Sequence, residues 1–321
     1  MRAVQVTSPT GPSGVELREV PEPEPRPGEV LVEVHSVGVS FPDLLLSKGQ
    51  YQLRPDPPFT LGVDAAGVVV SGDGGFEAGQ RVAAVVPYGA AADRVAVPAD
   101  FTFALPDALS FSEGAALPMN YLTADFALVD RAGLRPGETV LVHGAAGGVG
   151  TAVLQVARGL GARTIAVVST DAKASFARAA GAEDAVLLDG FKDAVLELTG
   201  GRGVDVVVDV VGGEVFTDSL RALAPQGRLM VVGFAAGQGI PEVRVNRLLL
   251  NNIDVRGVGW GAYAMTTAGF MRQQWSRLLP LVESGAVRPP IGATYDLDGF
   301  AQALTDLEER RALGKIVVRL R

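Results

Sequence analysis

Residues 143–150, HGAAGGVG, form a glycine-rich stretch whose spacing could hold a phosphate group. The frame that ends on Gly150 has the GxGxxG spacing, with alanine in the first place. Glycine makes up 40 of the 321 residues, so this spacing arises easily by chance. The segments on either side of it must therefore show whether it binds a phosphate. TVLV, just before it, has the pattern of a strand, and the apolar positions after it have helical spacing. Glycines placed between a strand and a helix let the backbone approach a pyrophosphate, which the helix N-terminus attracts.

The stretch is therefore predicted to bind a dinucleotide. The alternative is a glycine turn that only packs a helix on a strand. Alanine at 145 is tolerable because the first position mainly governs a tight turn, and Gly144 stands just before it. The predicted cofactor-binding residues of this loop are Ala145, Ala146, Gly147, Gly148, Val149 and Gly150.

A second feature bears on the choice of cofactor. An acid about 20 residues past the loop would bind the ribose 2′-hydroxyl of NAD, but Ser169 and Thr170 stand there, followed by Asp171 and Lys173. A small hydroxyl residue with a lysine nearby favours a 2′-phosphate, so the sequence predicts NADPH in preference to NADH. Two alternatives stay open. Asp171 could be an NAD-type acid or the N-cap of the next helix, and Lys173 could lie on a solvated face.

Composition excludes several classes of protein. The formal charge of −8 and the pI near 4.9 leave no broad basic face for nucleic acid or anionic lipid. The chain has no cysteine, which excludes disulfides, a cysteine-ligated zinc and a thiol nucleophile. For the two histidines, His35 and His143, we expect packing or hydrogen bonding and not metal ligation. No apolar run reaches the length of a membrane span, so a soluble, cytoplasmic protein is expected.

Two types of element pattern divide the chain. Up to about residue 105, short β-segments alternate with turn residues, and the proline-rich PEPEPRPGE forms an exposed connector. From about residue 111, apolar strands alternate with helices, which predicts βαβ units and a buried parallel sheet. The late strands ATYDL and KIVVRL resemble those of the first part. We therefore expect an α/β protein with a β-rich domain over 1–118, a doubly wound nucleotide domain over 119–258 and a return to the first domain over 259–321.

Three stretches together carry a resemblance: VGVSFPDLLLSKGQYQLRPDPPFTLGVDAAGVV, LPMNYLTADFALVDRAGLRPGETVLVHGAAGGVG and VVGFAAG. They resemble the zinc-independent (zeta-crystallin-like) quinone oxidoreductases of the medium-chain dehydrogenase/reductase superfamily, essentially from end to end. This resemblance implies a GroES-like β-rich catalytic domain, a Rossmann domain with a parallel sheet, and a cleft between them. It also implies a homodimer, since RLLLNNIDVRGVGWG extends the sheet across a two-fold axis in relatives.

The resemblance also assigns residues to the site. No residue is a certain general acid, and several have ordinary alternatives: Asp43 could cap a helix, Tyr88 could be a rim aromatic, and Arg310 could lie at a solvated helix end. A tyrosine that often joins the 2′-phosphate pocket corresponds to Leu188. The expected substrate-binding residues are Ser40, Asp43, Tyr51, Tyr88 and Asn120, with Tyr121 a further candidate donor; the further cofactor-binding residues are Thr123, Ser169, Thr170, Lys173, Gly233, Phe234 and Arg310.

Zinc-dependent relatives carry a cysteine where this chain has Ser40, and a His-Glu pair where it has Val63 and Asp64, so no metal is expected. Hydride transfer to an unconjugated ketone makes a basic alkoxide that needs a Lewis acid. Reduction of a quinone or enone makes a delocalised anion that a hydrogen-bond donor can stabilise. The prediction is an NADPH-dependent quinone oxidoreductase acting in the cleft. The alternatives are an NADPH-dependent enone or enoyl-thioester reductase, and an NADPH-binding sensor or structural protein without useful turnover.

Overall fold

The computed structural model describes all residues, 1–321. It has sixteen strands. They are β1 (Arg2–Val6), β2 (Val15–Glu19), β3 (Glu29–Val39), β4 (Phe59–Thr60), β5 (Asp64–Ser71), β6 (Arg81–Val85), β7 (Arg94–Pro98), β8 (Thr102–Ala104), β9 (Thr139–His143), β10 (Arg163–Val168), β11 (Asp184–Leu187), β12 (Val204–Asp209), β13 (Leu223–Val231), β14 (Asp254–Gly257), β15 (Ile291–Asp296) and β16 (Lys315–Arg319).

The helices follow the same chain order. They are α1 (Phe41–Ser47), α2 (Phe111–Ala115), α3 (Thr123–Asp125), α4 (Gly148–Gly159), α5 (Asp171–Ala179), α6 (Phe191–Leu198), α7 (Val215–Ala222), α8 (Asn246–Asn251), α9 (Trp260–Ala264), α10 (Phe270–Glu283) and α11 (Phe300–Glu308). Short 3₁₀ turns occupy Gly11–Gly14, Ala99–Phe101 and Leu297–Gly299, and π-helical turns occupy Pro118–Leu122 and Phe126–Ala132.

The chain folds into two compact units. The first consists of residues 1–120, 268–275 and 289–321, and the second of residues 121–267 and 276–288. The chain therefore passes between the units after residues 120, 267, 275 and 288, and the third of these points lies inside α10, whereas the sequence placed the boundaries at 118 and 258. No helix in the structure is both long enough and apolar enough to cross a membrane.

The first unit is built on a seven-stranded sheet and a three-stranded sheet. The long β3 pairs antiparallel with β5, β7 and β16, so a strand at the end of the chain lies beside one near its start. β15 lies parallel to β16. In β3, side chains alternate between buried and half-buried positions over most of its length, as expected for a strand with one face on a core. This placement brings the start of β16 next to the end of β3, where α1 begins.

The second unit contains a six-stranded parallel sheet in the order β11-β10-β9-β12-β13-β14. Counted within the unit, this is the 3-2-1-4-5-6 order of a doubly wound dinucleotide fold. Its core packs apolar residues of the strands against the helices, among them Leu141, Ile165, Val207, Leu220 and Leu229. The predicted α/β fold, with a β-rich part and a parallel-sheet part, is confirmed. The strand order reverses at β9, because β10 lies on one side of it and β12 on the other. Sheets of this kind bind ligands at the carboxyl ends of the strands at such a point, which here is the end of β9.

Candidate functional site

The glycine-rich loop joins β9 to α4 in the second unit. Gly144 has φ of +61°, in the left-handed region that glycine adopts at low cost. Ala145 follows it and is buried, so the tight turn falls one residue before the first place of the pattern. Gly147 is the N-cap of α4, and Ala146 is buried behind it. The loop thus brings the first N–H groups of a helix to the carboxyl end of β9, and these groups have no acceptor within the helix.

Gly147 and Gly150 have different surroundings. A Cβ atom on Gly150 would lie 2.3 Å from the carbonyl oxygen of Gly144 and 2.6 Å from Cα of Ala145, both of them backbone atoms. A Cβ atom on Gly147 would meet only the Gly144 oxygen, at 3.4 Å, an ordinary contact. Gly150 is therefore required for packing the helix on the strand, whereas Gly147 keeps the outer side of the loop clear. These are the two tasks that the second and third glycines perform in a pyrophosphate-binding loop, so the loop fits a dinucleotide. Gly148 and Val149 lie between them, half-buried.

The residues predicted to bind the 2′-phosphate of NADPH lie together where β10 ends and α5 begins. Thr170, and not Asp171, is the N-cap of α5, and its hydroxyl accepts the backbone N–H of Lys173. The Lys173 ammonium donates to the hydroxyl of Ser169 at 3.2 Å. Asp171 is the first residue of the helix and is exposed. The structure therefore brings an ammonium group and a hydroxyl group together at the surface at this strand end.

Leu188 lies beside this group, at the end of β11. Its backbone N–H donates to the carbonyl of Val168, and its side chain is exposed, as is that of Leu187. An exposed apolar pair thus borders the polar group formed by Ser169 and Lys173.

A buried acid at the end of β12 was not predicted. Oδ1 of Asp209 accepts the backbone N–H groups of Val211 and Gly212 at 2.8 and 2.9 Å, and burial raises the pKa of this carboxyl. The loop that it fixes lies beside Gly233 and Phe234, because a Cβ atom on Gly212 would lie 2.8 Å from the Phe234 ring. Phe234 is exposed and Gly233 half-buried, at the carboxyl end of the sheet. Asp209 stands within the apolar run VDVVVDVVG, and no spacing signal there reveals that its carboxylate fixes the loop after the strand.

Thr123 starts α3 and is buried in the second unit. Tyr121, two residues earlier, is not a free donor, since its hydroxyl donates to Oε1 of Gln155 at 2.7 Å. Gln155 in turn bonds both the carbonyl and the N–H of Arg288. Burial raises the pKa of the Tyr121 hydroxyl, so this group stays protonated. Tyr121 therefore has an internal structural bond, which corrects its interpretation as a donor to substrate.

In the first unit, Ser40 belongs to a buried charged cluster. The Lys315 ammonium lies 2.5 Å from Oγ of Ser40 and 2.6 Å from Oδ2 of Asp64, and the two oxygens are 3.1 Å apart. The other oxygen of Asp64 accepts the backbone N–H of Met119 at 2.8 Å. Burial raises the pKa of Asp64, and the adjacent ammonium opposes this shift. Lys315 was not predicted, because a lysine before an apolar strand is usually solvated and its partner Ser40 is 275 positions away.

Asp43 closes the N-terminus of α1 beside this cluster. Its two carboxylate oxygens accept the N–H groups of Ser40 and Gly62, each at 2.9 Å. Complete burial raises the pKa of Asp43 to about 7, while these two hydrogen bonds and the charge of Lys315 act in the opposite direction. Asp43 does cap a helix, the ordinary alternative, and it also lies near Tyr51, whose pKa is raised by burial and then by the charge of Asp43. Ser40, Asp43 and Tyr51 are thus close together.

The remaining predicted residues are more scattered. Tyr88 is partly exposed and packs edge-on against Phe59, with 5.8 Å between ring centroids. Asn120 is buried at the end of the first segment of the first unit. Arg310 follows α11 with φ of +58°, and its side chain is exposed. Their roles toward substrate or cofactor stay predictions.

The residues of the first unit do not fit a zinc ion. Where zinc-dependent relatives carry a cysteine and a His-Glu pair, this chain has the Ser40 hydroxyl, the Val63 side chain and the Asp64 carboxylate. The ammonium of Lys315 already binds both polar groups. No group of three or more His, Cys, Asp or Glu side chains that could hold a metal occurs in the structure. His143 donates through Nε2 to Ser219, and His35 packs on the Phe111 ring.

Comparison with known proteins agrees with this architecture. Residues 26–107 match the family model described as "Alcohol dehydrogenase GroES-like domain", and residues 148–284 match "Zinc-binding dehydrogenase". The predicted GroES-like and Rossmann domains are therefore confirmed. The zinc of the second description is not matched by ligands at Ser40, Val63 and Asp64, the positions described above.

Individual relatives are more specific. "Quinone oxidoreductase-like protein 2" of Bos taurus is 37% identical over 311 residues, covering 95% of this chain and 89% of the relative. A "probable oxidoreductase" from Mycobacterium abscessus is 43% identical, with a TM-score of 0.91 and coverage of 99% and 98%. The quinone oxidoreductase of Thermus thermophilus, solved alone and with NADPH, is 38% identical, with a TM-score of 0.86 over the full length of both chains. The chain thus belongs to the quinone oxidoreductase family of the medium-chain dehydrogenase/reductase superfamily, and it is an oxidoreductase.

Proposed function

We propose that the protein is a zinc-independent, NADPH-dependent quinone reductase that delivers hydride to a quinone or a similarly conjugated carbonyl compound. The observation that carries this proposal is the cluster of Ser40, Asp64 and Lys315, which puts hydrogen-bond donors where metal-dependent relatives put ligands. Donors of this kind stabilise a delocalised phenolate or enolate well. They are a poor substitute for a Lewis acid beside a simple alkoxide, so the acceptor is a conjugated one.

The second unit supports the choice of cofactor. The loop around Gly147 would hold the pyrophosphate, and Ser169, Thr170 and Lys173 would hold the 2′-phosphate through charge-assisted and neutral hydrogen bonds. NADPH, when bound, supplies the hydride. The same cofactor is present in the complex of the Thermus thermophilus relative.

Other residues are proposed for each ligand on the strength of the family resemblance. Thr123, Gly233, Phe234 and Arg310 are proposed to contact the cofactor. Ser40, Asp43, Tyr51, Tyr88 and Asn120 are proposed to contact the acceptor.

A homodimer is part of the proposal. β14 is an edge strand of the parallel sheet, and α8 just before it exposes a patch of large apolar side chains. Val245, Leu249 and Leu250 are each more than 70% exposed, an unusual density for a monomeric surface. An edge strand next to such a patch is suited to pairing with a second copy of the same chain.

The test is a steady-state screen of the purified protein with NADPH and NADH against small quinones, enones and crotonyl thioesters. The proposal expects NADPH oxidation with quinones, weaker turnover with NADH, and activity that survives metal chelation. Good turnover of enones or thioesters with none of quinones would instead identify a double-bond reductase. Tight NADPH binding without turnover of any acceptor would identify a sensor or structural protein.

A further inference from the structure

The hydroxyl of Ser40 is held by two charged partners that are themselves buried. Lys315 and Asp64 are 4% and 0% exposed, and Ser40 is 5% exposed. Gly38 leaves room for the lysine, because a Cβ atom there would lie 2.6 Å from Cε of Lys315. The ammonium is therefore held close to Ser40 by packing as well as by charge.

The hydrogen-bond roles within this cluster follow from chemistry. An ammonium group can only donate, so Oγ of Ser40 must accept from Lys315. The hydroxyl then has one proton to give, and in this structure its acceptor is Oδ2 of Asp64 at 3.1 Å. Asp64 does not depend on that bond, since Oδ2 also accepts from Lys315 at 2.6 Å and Oδ1 accepts from Met119. The Ser40 proton can therefore turn to another acceptor and leave no carboxylate oxygen without a donor.

We propose that Lys315 is a positioning residue for the reduction: by donating to Oγ of Ser40, it leaves the hydroxyl to act as a donor toward the oxygen of the substrate. A cation that donates to a hydroxyl oxygen also makes that hydroxyl a stronger donor, because hydrogen bonds in a chain polarise one another. Asp64 anchors the ammonium. This assignment rests on the proposed function, and it concerns a hydrogen bond to the oxygen that gains negative charge, with the final proton coming from solvent.

If Lys315 and Asp64 served only to stabilise the fold, uncharged side chains of similar volume would serve as well. Replacing a buried ion pair by apolar residues of similar volume is often neutral or stabilising, so stability alone does not require Lys315 and Asp64. A preorganised donor aimed at developing negative charge, in contrast, needs this kind of support.

The first experiment compares Ser40→Ala with Ser47→Ala. Ser47 is an equally buried serine of α1, and its hydroxyl donates only to the carbonyl of Leu44. Ser40→Ala is expected to lower kcat about 100-fold, as for the loss of one oxyanion donor, with unchanged KM for NADPH. Ser40→Thr, which keeps the hydroxyl, should recover most of the rate. The loss should grow along a series of quinones whose reduced oxygen is more basic, since a stronger base gains more from the donor.

The second experiment is a double-mutant cycle between Ser40→Ala and the charge-free pair Lys315→Met with Asp64→Asn. If Lys315 acts through Ser40, removing the charges lowers kcat in the wild-type background and has little effect in the Ser40→Ala background. Lys315→Arg, which keeps a cationic donor, should retain more activity than the charge-free pair. Should the charge-free pair fail to fold, the cycle is run with Lys315→Arg in its place, and any loss of kcat that this variant shows should shrink in the Ser40→Ala background.

Three results would overturn the proposal: an unchanged kcat in Ser40→Ala, a loss that is equal for all quinones, or additive effects in the cycle. These results require an active wild-type enzyme. Absence of wild-type quinone reduction is a different outcome, and it would contradict the proposed function instead.

Discussion

Nε2 of His143 lies 2.8 Å from Oγ of Ser219, and the serine gives its own proton to the carbonyl of Val215 at 2.7 Å. The imidazole must therefore donate through Nε2, which leaves Nδ1 as a buried nitrogen without a hydrogen-bond partner. Burial lowers the pKa of His143 to about 4. A neutral ring is thus built into the sheet directly before the glycine-rich loop.

His143 should make a contribution to stability that decreases with acid in a window set by its pKa. Between the unfolded pKa of about 6.5 and the folded pKa of about 4, the unfolded chain binds more protons than the folded one. The contribution of His143 to the free energy of unfolding therefore falls as pH drops through that window, by up to about 3 kcal/mol. Urea unfolding at several pH values measures it.

His143→Gln should remove this contribution, so the free energy of unfolding of wild type, taken relative to that of the variant, should fall as pH drops through the window. His35→Gln, a change at the chain's other histidine, should keep most of the contribution, because His35 is less buried. Burial raises the pKa of Asp43, Asp64 and Asp209, so these carboxyls contribute slopes of the opposite sign in all three proteins and cancel in the difference. Parallel curves for wild type and His143→Gln would contradict the assignment.

The two loop glycines should respond differently to the same substitution. Gly147→Ala places a methyl group on the open side of the loop, so it should weaken NADPH binding by about 2 kcal/mol with little change in Tm. Gly150→Ala forces a methyl group against backbone atoms, so it should lower Tm as well as affinity. Calorimetric titration and thermal unfolding separate the two effects. Equal loss of Tm in both variants would refute the division of roles.

Cofactor preference should depend on Lys173. Lys173→Ala should weaken NADPH by about 1.5 to 3 kcal/mol, the value of a hydrogen bond to a charged group, and hardly affect NADH. Lys192→Ala is the matched control, since Lys192 lies on α6 and pairs with Asp193 at 2.8 Å. Dissociation constants for both cofactors provide the measurement, and equal loss for the two would exclude a 2′-phosphate contact.

Association should depend on the apolar patch of α8. Leu249→Glu places a charge on a leucine that is 75% exposed, which costs little in a monomer and much in a buried interface. Light scattering at micromolar concentration should give the mass of two chains for wild type and of one chain for the variant. Leu17→Glu, on the exposed β2, should stay dimeric. A monomeric wild type would disprove the dimer.

The sequence was informative where periodicity or turn chemistry is local. Short β-segments separated by turn residues predicted most strands of the first unit, and apolar runs that alternate with helical patterns predicted those of the second. The switch to helical spacing after β9 predicted the glycine-rich loop and its helix. The bounds of α4 and α5 follow the pattern closely because Gly147 and Thr170 are N-caps of types that the sequence can reveal. Gly144 is a further local signal. Its left-handed backbone conformation makes the tight turn one residue before Ala145, which holds the first place of the glycine pattern.

Contacts between distant segments were not accessible in this way. Lys315 pairs with Asp64 across 251 positions, and nothing in GKIVVRL distinguishes this lysine from a solvated one. Asp209 likewise accepts the backbone N–H groups of Val211 and Gly212, and the apolar strand pattern around it gives no sign of these hydrogen bonds. The short β14, at the edge of the sheet, lies within RLLLNNIDVRGVGWG, a segment that the family resemblance, and no local strand pattern, assigned to the sheet.

The pairing of β16 with β3 has a consequence for biosynthesis. β3 is translated early, yet its antiparallel neighbour β16 follows every strand of the parallel sheet along the chain, so the first sheet cannot be completed until β16 has been translated. The parallel sheet, whose last strand ends at Gly257, has all its strands translated before that point. Because domains fold as units during synthesis, the second unit is expected to fold while β3 still lacks its partner. Lys315 arrives with β16, so the charged cluster around Ser40 is assembled only after the strands of the parallel sheet have been translated.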